Sequence, residues 1–313
     1  MNKTKWDDFV SASPQANIFC YTAFLDSMLT EYELITLEAN EKIQLGAIVL
    51  KNADQIIKAP YPFTIYQGVL CCNEFFEMPF HKRSSWLISN LTFLLDAMKE
   101  ELTRISFCLS HTFEDVRTFQ WFHYHEPEKG MFNIDLRYTG ILNLEHVTDF
   151  DTYLTMTRSV RRQEYRKALK EGFYAEKTND IEILNRLHAM TFDRQNMVRS
   201  AKDEELLLSI SKNALEKEFG EILVCYDKNG TAASASLFVY DKLYGYYLFG
   251  ANDPEYRKSG AGTFLIFENI KRCMERKCLG VDFVGINSPN RGDFKTSFNA
   301  KPVNYYLVNW DKP

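Results

Sequence analysis

The chain has 313 residues, of which 45% are hydrophobic and 14% aromatic, so it can bury a sizeable core and wholesale disorder is excluded. Its formal net charge of −5 argues against duplex nucleic acid as the main partner, while a local basic groove stays open. Its seven cysteines have no regular spacing, which predicts reduced, mostly buried thiols in a cytoplasmic protein.

The N-terminal half predicts a helix, then strands, then a longer helix. Its first ten residues, MNKTKWDDFV, contain no apolar leader, and no apolar run in the chain reaches the roughly 18 residues of a membrane span, so we expect neither processing nor a span. Residues 22–31 predict a helix, and residues 32–52 predict two strands around a polar turn. Residues 86–102 carry apolar side chains three and four positions apart, as an amphipathic helix does. The runs RISFCLS and GMFNIDL predict short strands.

The C-terminal half predicts helices that alternate with strands, and therefore an α/β fold. The strand-like runs are EILVCYD, TAASASLFVY, LYGYYLFGAN, GVDFVGIN and PVNYYLVNW. The predicted helices cover residues 157–172, 181–195, 203–218 and a segment that runs from a glycine-rich turn to about residue 276. We place the boundary between two domains near Asp149, just before the first of these helices.

The glycine-rich turn RKSGAG lies between a predicted strand and a predicted helix and fits the pattern R-x-x-G-x-G. A helix N-terminus offers free backbone N–H groups and the positive end of the helix dipole. Small residues let an anion approach that main chain, and the anion we expect is a pyrophosphate. The pattern is neither a Walker A loop nor a dinucleotide-binding loop, and a tightly packed helix start is the alternative interpretation. The predicted pyrophosphate-binding residues are Arg257, Lys258, Ser259, Gly260, Ala261 and Gly262.

The segment LFGANDPEYRKSGAGTFL resembles the acyl-CoA signature of the GNAT superfamily of N-acyltransferases. The segments SVRRQEYRKALKEGF, DVRTFQWFHYHEPEKGMFNIDL and VDFVGINSPNRGDFKTSFNAKPVNYYLV resemble FemAB-like proteins, so the resemblance covers most of the chain. It implies two tandem GNAT-like domains with mixed β-sheets flanked by helices. Residues 1–149 are then a degenerate domain, and residues 150–313 carry the acyl-donor loop. In the family, a bulged strand end admits the pantetheine arm of CoA, and Gly250 is the predicted bulge residue.

Arg158, Arg162 and Arg166 recur at every fourth position and share one face of a predicted helix. One interpretation is a solvated cationic face. The other is an anion site for a phosphorylated acceptor, a peptide carboxylate or a tRNA backbone. In the FemAB resemblance this helix borders the acceptor cleft, and Arg161 or Arg162 would match a cation of that cleft. Arg158, Arg162 and Arg166 are the predicted acceptor-binding residues.

Catalytic residues follow from the same resemblance. Lys295 matches a cleft lysine that stabilises the oxyanion of the carbonyl under attack, with a surface lysine as the alternative. No tyrosine follows the FVGIN strand where many GNAT enzymes protonate the leaving thiolate, so Asn287 is predicted to assist that step, with Ser288 or water as the alternatives. Asp253 is the predicted general base, as a carboxylate close to the loop, with Glu255 beside it and Asp282 on the GVDFVGIN strand as the alternatives. His123 and His125 have no third ligand nearby, and no metal is predicted.

The sequence therefore predicts an N-acyltransferase that moves an acyl group from acyl-CoA, its co-substrate, to a primary amine of a small molecule or peptide. A FemAB-type aminoacyltransferase that uses aminoacyl-tRNA and a cell-wall peptide precursor is one alternative. The glycine-rich loop favours CoA over tRNA, and so does the net acidity. A catalytically silent ligand-binding protein of the same fold is the other alternative.

Overall fold

A computed structural model describes residues 2–53, 55–194 and 198–313, apart from the side chains of residues 193 and 194. The helices are α1 Lys3–Ala12, α2 Thr22–Leu25, α3 Asn73–Glu77, α4 Phe80–Glu101, α5 Arg117–Trp121, α6 Phe150–Met156, α7 Ser159–Lys170, α8 Ile181–Arg194, α9 Ala201–Glu216, α10 Ala261–Glu275 and α11 Pro289–Thr296. The strands are β1 Glu31–Ala39, β2 Lys42–Asn52, β3 Gln55–Ile56, β4 Leu70–Cys71, β5 Arg104–Cys108, β6 Asn133–Asn143, β7 Tyr174–Thr178, β8 Gly220–Tyr226, β9 Ala232–Tyr240, β10 Tyr244–Asn252, β11 Gly280–Asp282 and β12 Lys301–Asp311.

Contacts divide the chain into two compact units. The first unit is Met1–Tyr138 with Asn304–Pro313, and the second is Thr139–Val303. The boundaries between the units fall within β6 and β12, so most of the last strand belongs to the first unit. The predicted division at Asp149 into a degenerate and a donor-binding domain stays a prediction.

The first unit combines short antiparallel strands with one long amphipathic helix. β1 pairs with β2 along its whole length, β3 and β4 also pair with β2, and β5 pairs with β12. The predicted long helix is confirmed as α4, but it begins at Phe80 rather than near residue 86. Its first turn reads FHKRS. Because most of these residues are polar, they show no apolar periodicity, and the sequence alone could not predict the earlier start. The apolar face of α4 buries Leu87, Leu91, Leu94, Leu95 and Met98.

The second unit is built on a mixed sheet in the order β6-β11-β10-β9-β8-β7. β10 and β11 are parallel, and the other neighbouring pairs are antiparallel. The helices α8 and α10 pack on the central strands, and α7 packs on α10, where Tyr165 stacks on Phe264 with 5.4 Å between ring centroids. The predicted α/β class with mixed sheets is confirmed. Residue 195, the predicted last residue of the second helix, lies outside the described residues.

All seven cysteines are free and buried, as predicted. Across residues 2–53, 55–194 and 198–313, no helix combines the length and the apolar character that crossing a membrane requires.

Candidate active site

The parallel strands β10 and β11 separate in the middle of the second unit. They pair only from Tyr244 to Tyr246, opposite Gly280 to Asp282, whereas β10 continues to Asn252. A register shift on the other edge of β10 leaves Leu248 as the bulged residue, so the prediction of Gly250 as the bulge is wrong.

Gly250 instead pairs regularly with Ser236, and the absence of a side chain at this position makes room for a neighbouring ring. A Cβ atom at Gly250 would lie 1.7 Å from the hydroxyl oxygen of Tyr247, so only glycine leaves room for that ring. The Tyr247 ring stacks on Phe238, with 5.4 Å between centroids. Burial raises the pKa of Tyr247 to about 12, which keeps its hydroxyl protonated at neutral pH.

β10 runs directly into the predicted pyrophosphate loop. Asp253 begins a single turn of 3-10 helix over Pro254–Tyr256, and its carboxylate accepts a hydrogen bond from the Glu255 N–H at 2.9 Å. Gly260 is the N-cap of α10 and has a φ of 89°, a left-handed conformation that favours glycine. A Cβ there would lie 2.8 Å from the backbone oxygen of Glu164 on α7. Conformation and close approach therefore both require glycine at this position.

The first turn of α10 presents backbone donors beside two cations. Within the described part of the chain, the Ala261 N–H donates to the Ser259 hydroxyl at 3.1 Å, and the amides of Gly262 and Thr263 have no protein acceptor. The side chains of Arg257 and Lys258 are exposed next to this turn. These are the features that an anion needs at a helix N-terminus, and the six predicted residues lie together here.

Lys295 lies on α11 at the opening between β10 and β11. Its Nζ atom donates to the carbonyl oxygens of Val284 at 2.7 Å and Gly285 at 3.1 Å, and lies 5.8 Å from the centre of the Tyr247 ring. Burial lowers the pKa of Lys295 to about 8, and the nearby Asp282 carboxylate partly opposes this change. Lys295 is therefore a half-buried, hydrogen-bonded amine rather than a solvated surface lysine.

The turn that follows β11 is held in an unusual conformation. Val284 has a φ of 51° and Gly285 a φ of 66°, and a left-handed conformation is costly for a β-branched residue such as valine. The fully buried Asp282 carboxylate accepts from the Val284 N–H at 2.8 Å, while Lys295 donates to the two carbonyls. The turn is thus held from both sides by charged groups. Asn287, two residues further on, is exposed.

The three arginines predicted to bind the acceptor have different surroundings. Arg158 forms a two-pronged ion pair with Asp293, at 2.9 and 2.8 Å. Arg162 donates to backbone carbonyls at the C-terminal end of α6, including Thr155 O at 3.1 Å. Arg166 is exposed. Two members of the stripe are therefore engaged in contacts within the chain, and their role in acceptor binding stays a prediction.

Residues 155–296 match the family model described as an acetyltransferase (GNAT) domain. The matched range contains α7, the glycine-rich loop, the separated strands and Lys295. Residues 155–296, which are less than half of the chain, are therefore similar to a GNAT acetyltransferase domain. The predicted GNAT resemblance is thereby confirmed for this part of the chain, and the GNAT domain supports the general prediction of an acyltransferase.

Solved structures extend the fold likeness beyond the GNAT domain. FemX aligns with a TM-score of 0.72 and 15% identity over 98% of this chain and 96% of that chain. A tandem GNAT protein from the clavulanic acid biosynthesis pathway aligns with a TM-score of 0.52 and 10% identity over 99% of this chain and 94% of that chain. L-PGS from Bacillus licheniformis aligns with a TM-score of 0.57 and 10% identity over 98% of this chain and 91% of that chain. Identities this low show the fold alone, and the predicted FemAB-like, tandem-GNAT fold is confirmed. None of the curated proteins matches the sequence.

Replacement of Arg162 by Ala is expected to destabilise the protein, and it also tests the predicted role of Arg162 in acceptor binding. The guanidinium neutralises the negative end of the α6 dipole, so its loss should lower the free energy of unfolding by about 1 kcal/mol. Urea denaturation and the acceptor KM measure the two effects. Arg166→Ala, which removes an exposed charge one turn further along α7, is the matched control and should leave stability unchanged. A higher acceptor KM for Arg162→Ala would support the predicted acceptor role, whereas unchanged stability would contradict the structural role.

Arg161, which the FemAB resemblance offered beside Arg162 as the cation of the acceptor cleft, is largely buried on α7. Its side chain is 15% exposed, donates to the Ser297 hydroxyl at 2.9 Å and pairs with Glu164 at 2.5 Å. It also donates to Thr263 in the first turn of α10 at 3.2 Å and lies over the Phe294 ring at 4.7 Å. Arg161 thus links α7 to both α10 and α11. The spacing of three residues between Arg161 and Glu164 also suits a helical ion pair.

His123 and His125 fall outside the GNAT domain, and Nδ1 of His123 lies 2.9 Å from the Gly130 carbonyl oxygen. Among the described residues, no group of three His, Cys, Asp or Glu side chains is arranged to hold a metal ion.

Proposed function

We propose that the chain transfers an acyl group from acyl-CoA to a primary amine of a small molecule or peptide. The observation that carries this proposal is the course of β10. Its bulged middle borders Lys295, and its C-terminal end leads into the loop of residues 257–262. The thioester of one acyl-CoA molecule could therefore lie beside Lys295 while its pyrophosphate lies at the loop of residues 257–262.

The donor would be held by main-chain and cationic groups. Its pyrophosphate would accept from the Gly262 and Thr263 amides and lie near Arg257 and Lys258. Beyond Tyr246, the edge of β10 that faced β11 has no strand partner among the described residues. The two amides of a pantetheine arm would hydrogen-bond to such a free edge as an added strand does.

Lys295 would act on the carbonyl under attack. The neutral acceptor amine adds to the thioester carbon, the carbonyl oxygen gains negative charge, and the C–S bond then breaks to release the thiolate. An ammonium has three N–H donors. Two of them are held by Val284 O and Gly285 O, so the third remains for the developing oxyanion.

The reaction also needs two proton transfers. The amine must lose a proton and the thiolate must gain one. Asp253 stays the proposed base for the amine. Its carboxylate caps the turn at Glu255 beyond the end of β10, whereas Lys295 borders the middle of that strand, so the proton would travel through a chain of waters. Asn287 is exposed and is proposed to assist the leaving thiolate. The seven buried free thiols suit the reducing cytoplasm, where we place the reaction.

Thermal unfolding with a panel of CoA, acetyl-CoA and longer acyl-CoAs tests the proposal. A ligand at 100 times its Kd should stabilise the protein by about 2.7 kcal/mol. Adenosine 3′,5′-bisphosphate, which lacks the pyrophosphate linkage and the pantetheine arm, is the matched control and should stabilise less. Absence of stabilisation by every CoA compound would contradict the proposal.

Aminoacyl transfer from tRNA is the second candidate, and the fold likeness to FemX over 98% of the chain favours it. The two donors differ in charge and size, so they can be separated in one experiment. If aminoacyl-tRNA raises the melting temperature and supports transfer to a peptide amine while acetyl-CoA does neither, the aminoacyltransferase reading replaces the first. The net charge of −5 favours the CoA donor.

A further inference from the structure

The first unit contains a cavity of 330 Å³ that takes no part in the proposed acyl transfer. Its lining residues all lie between Gln15 and Arg117, hence within this unit. It is bordered by β4, by the helices α3 and α4, and by the segment that precedes α5. Its volume falls at the lower end of the range of about 300–1,000 Å³ that is usual for small-molecule sites.

The walls of the cavity are rich in aromatic rings. The rings of Phe75 and Phe76 meet edge to face, with 4.9 Å between centroids. Phe113 and Leu87 are buried, and Phe80 lines the rim with 75% of its surface exposed. Rings in such positions favour a flat aromatic guest, which they can contact by stacking or by their edges.

One buried polar side chain lines this apolar cavity. Gln15 is 2% exposed, and its Oε1 atom accepts from the Cys71 N–H at 2.8 Å, which fixes the orientation of the amide. Within the described residues, the Nε2 donor of Gln15 has no hydrogen-bond acceptor. The Nε2 atom is not sealed off from the cavity, so a guest that supplies an acceptor can take the place of water there.

The charged groups of the cavity balance one another. Asp115 accepts from the guanidinium of Arg117 at 2.9 Å. Arg83 donates to the Met78 carbonyl at 2.9 Å and lies 3.9 Å from a carboxylate oxygen of Glu114. Two acids thus face two bases. A guest with a net charge would lose its hydration without gaining an unpaired counter-charge, so a neutral guest is favoured.

We propose that this cavity binds a small neutral aromatic molecule that carries a carbonyl oxygen. The ring lies among the phenylalanines, and the carbonyl oxygen accepts from Nε2 of Gln15. The proposal does not depend on the acyl transfer assigned to the second unit.

Titration calorimetry of the full chain with benzamide tests this site. For a guest of nine heavy atoms we expect a Kd of about 1 mM. Benzoate and benzylamine have the same ring and are the matched charged probes, and each should bind at least fivefold more weakly. Tighter binding of either charged probe, or no heat from benzamide at 10 mM, would overturn the proposal.

Two variants locate the binding. Val116→Trp fills the half-buried rim of the cavity and should weaken benzamide binding at least tenfold, whereas Val198→Trp, at a position that is 94% exposed, should leave it unchanged. If Val116→Trp fails to fold, Phe80→Ala removes a largely exposed ring and should weaken binding about threefold. Unchanged affinity in the folded cavity variants would place benzamide elsewhere and contradict the assignment.

Discussion

Replacement of Lys295 by Met is expected to lower kcat for acyl transfer about 100-fold and to change the Kd of acetyl-CoA less than threefold. Methionine keeps most of the length but removes the charge that would face the oxyanion. The interaction strengthens only as the carbonyl oxygen gains charge, so the loss should appear in kcat. Steady-state kinetics with the acceptor amine, combined with calorimetry for acetyl-CoA, measures both quantities.

Two companions sharpen the Lys295 prediction. Lys295→Arg should recover little activity, because a planar guanidinium cannot keep both short contacts to Val284 and Gly285 from the same position. Lys277→Met changes an exposed lysine beyond the far end of α10 and should retain full kcat. Full turnover of Lys295→Met would remove Lys295 from the mechanism.

The pH dependence separates two roles for the same amine. With a folded-state pKa of about 8, Lys295 loses its proton as the pH rises through 8. If the cation stabilises the oxyanion, kcat/KM should fall above pH 8, and Lys295→Met should lack this limb. A rise of kcat/KM through pH 8 that the variant loses would instead make Lys295 a general base.

Stability should respond with the opposite sign. The pKa of Lys295 is about 8 in the folded chain, whereas that of an unfolded lysine is about 10.4, so the unfolded state binds more protons between these values. The wild-type protein should therefore gain stability across that window as the pH rises, and Lys295→Met should not.

Reversal of both loop charges, in Arg257→Glu with Lys258→Glu, is expected to raise the Kd of acetyl-CoA about 50-fold. Two carboxylates would stand where the pyrophosphate approaches the first turn of α10. Both side chains are exposed, so the fold should be unaffected. Calorimetry measures the change, and Lys277→Glu, at the opposite end of the helix, is the matched control. Equal affinities of the wild type and the double variant would remove the loop from donor binding.

Glycine variants of the loop are poorer tests of the same idea. Any side chain at Gly260 meets both the left-handed backbone and the oxygen of Glu164. At Gly262, a Cβ would lie 2.4 Å from the side-chain oxygen of Asn252. Loss of CoA binding in such variants would not distinguish a blocked anion site from a distorted helix start.

The sequence was most informative where backbone chemistry is local. The turn RKSGAG lies between an apolar strand and a segment with helical apolar periodicity. It predicted the start of α10, because a glycine at such a junction is a typical sequence signal of a helix end. The same logic failed at residues 22–31, predicted as one helix. There α2 covers Thr22–Leu25 alone, and Phe24 and Leu25 are buried although the helix ends at Leu25.

The candidate site was less predictable because it depends on distant partners. The spacing of Arg158 and Arg162 gave a cationic face, but no local pattern indicates that Asp293 and the α6 carbonyls occupy their guanidinium groups. The left-handed conformation of Val284 is equally unpredictable from the sequence, because valine disfavours it and the contacts with Asp282 and Lys295 that hold it form only in the folded chain. Resemblance identified Lys295, whereas its lowered pKa follows from packing.

A crystal structure with bound acetyl-CoA tests the central claim most directly. We expect the pyrophosphate on the Gly262 and Thr263 amides, the pantetheine arm along the free edge of β10, and the thioester oxygen within about 3.5 Å of Lys295 Nζ. Electron density for the pantetheine arm outside the opening between β10 and β11, or a thioester far from Lys295, would contradict the proposed mechanism.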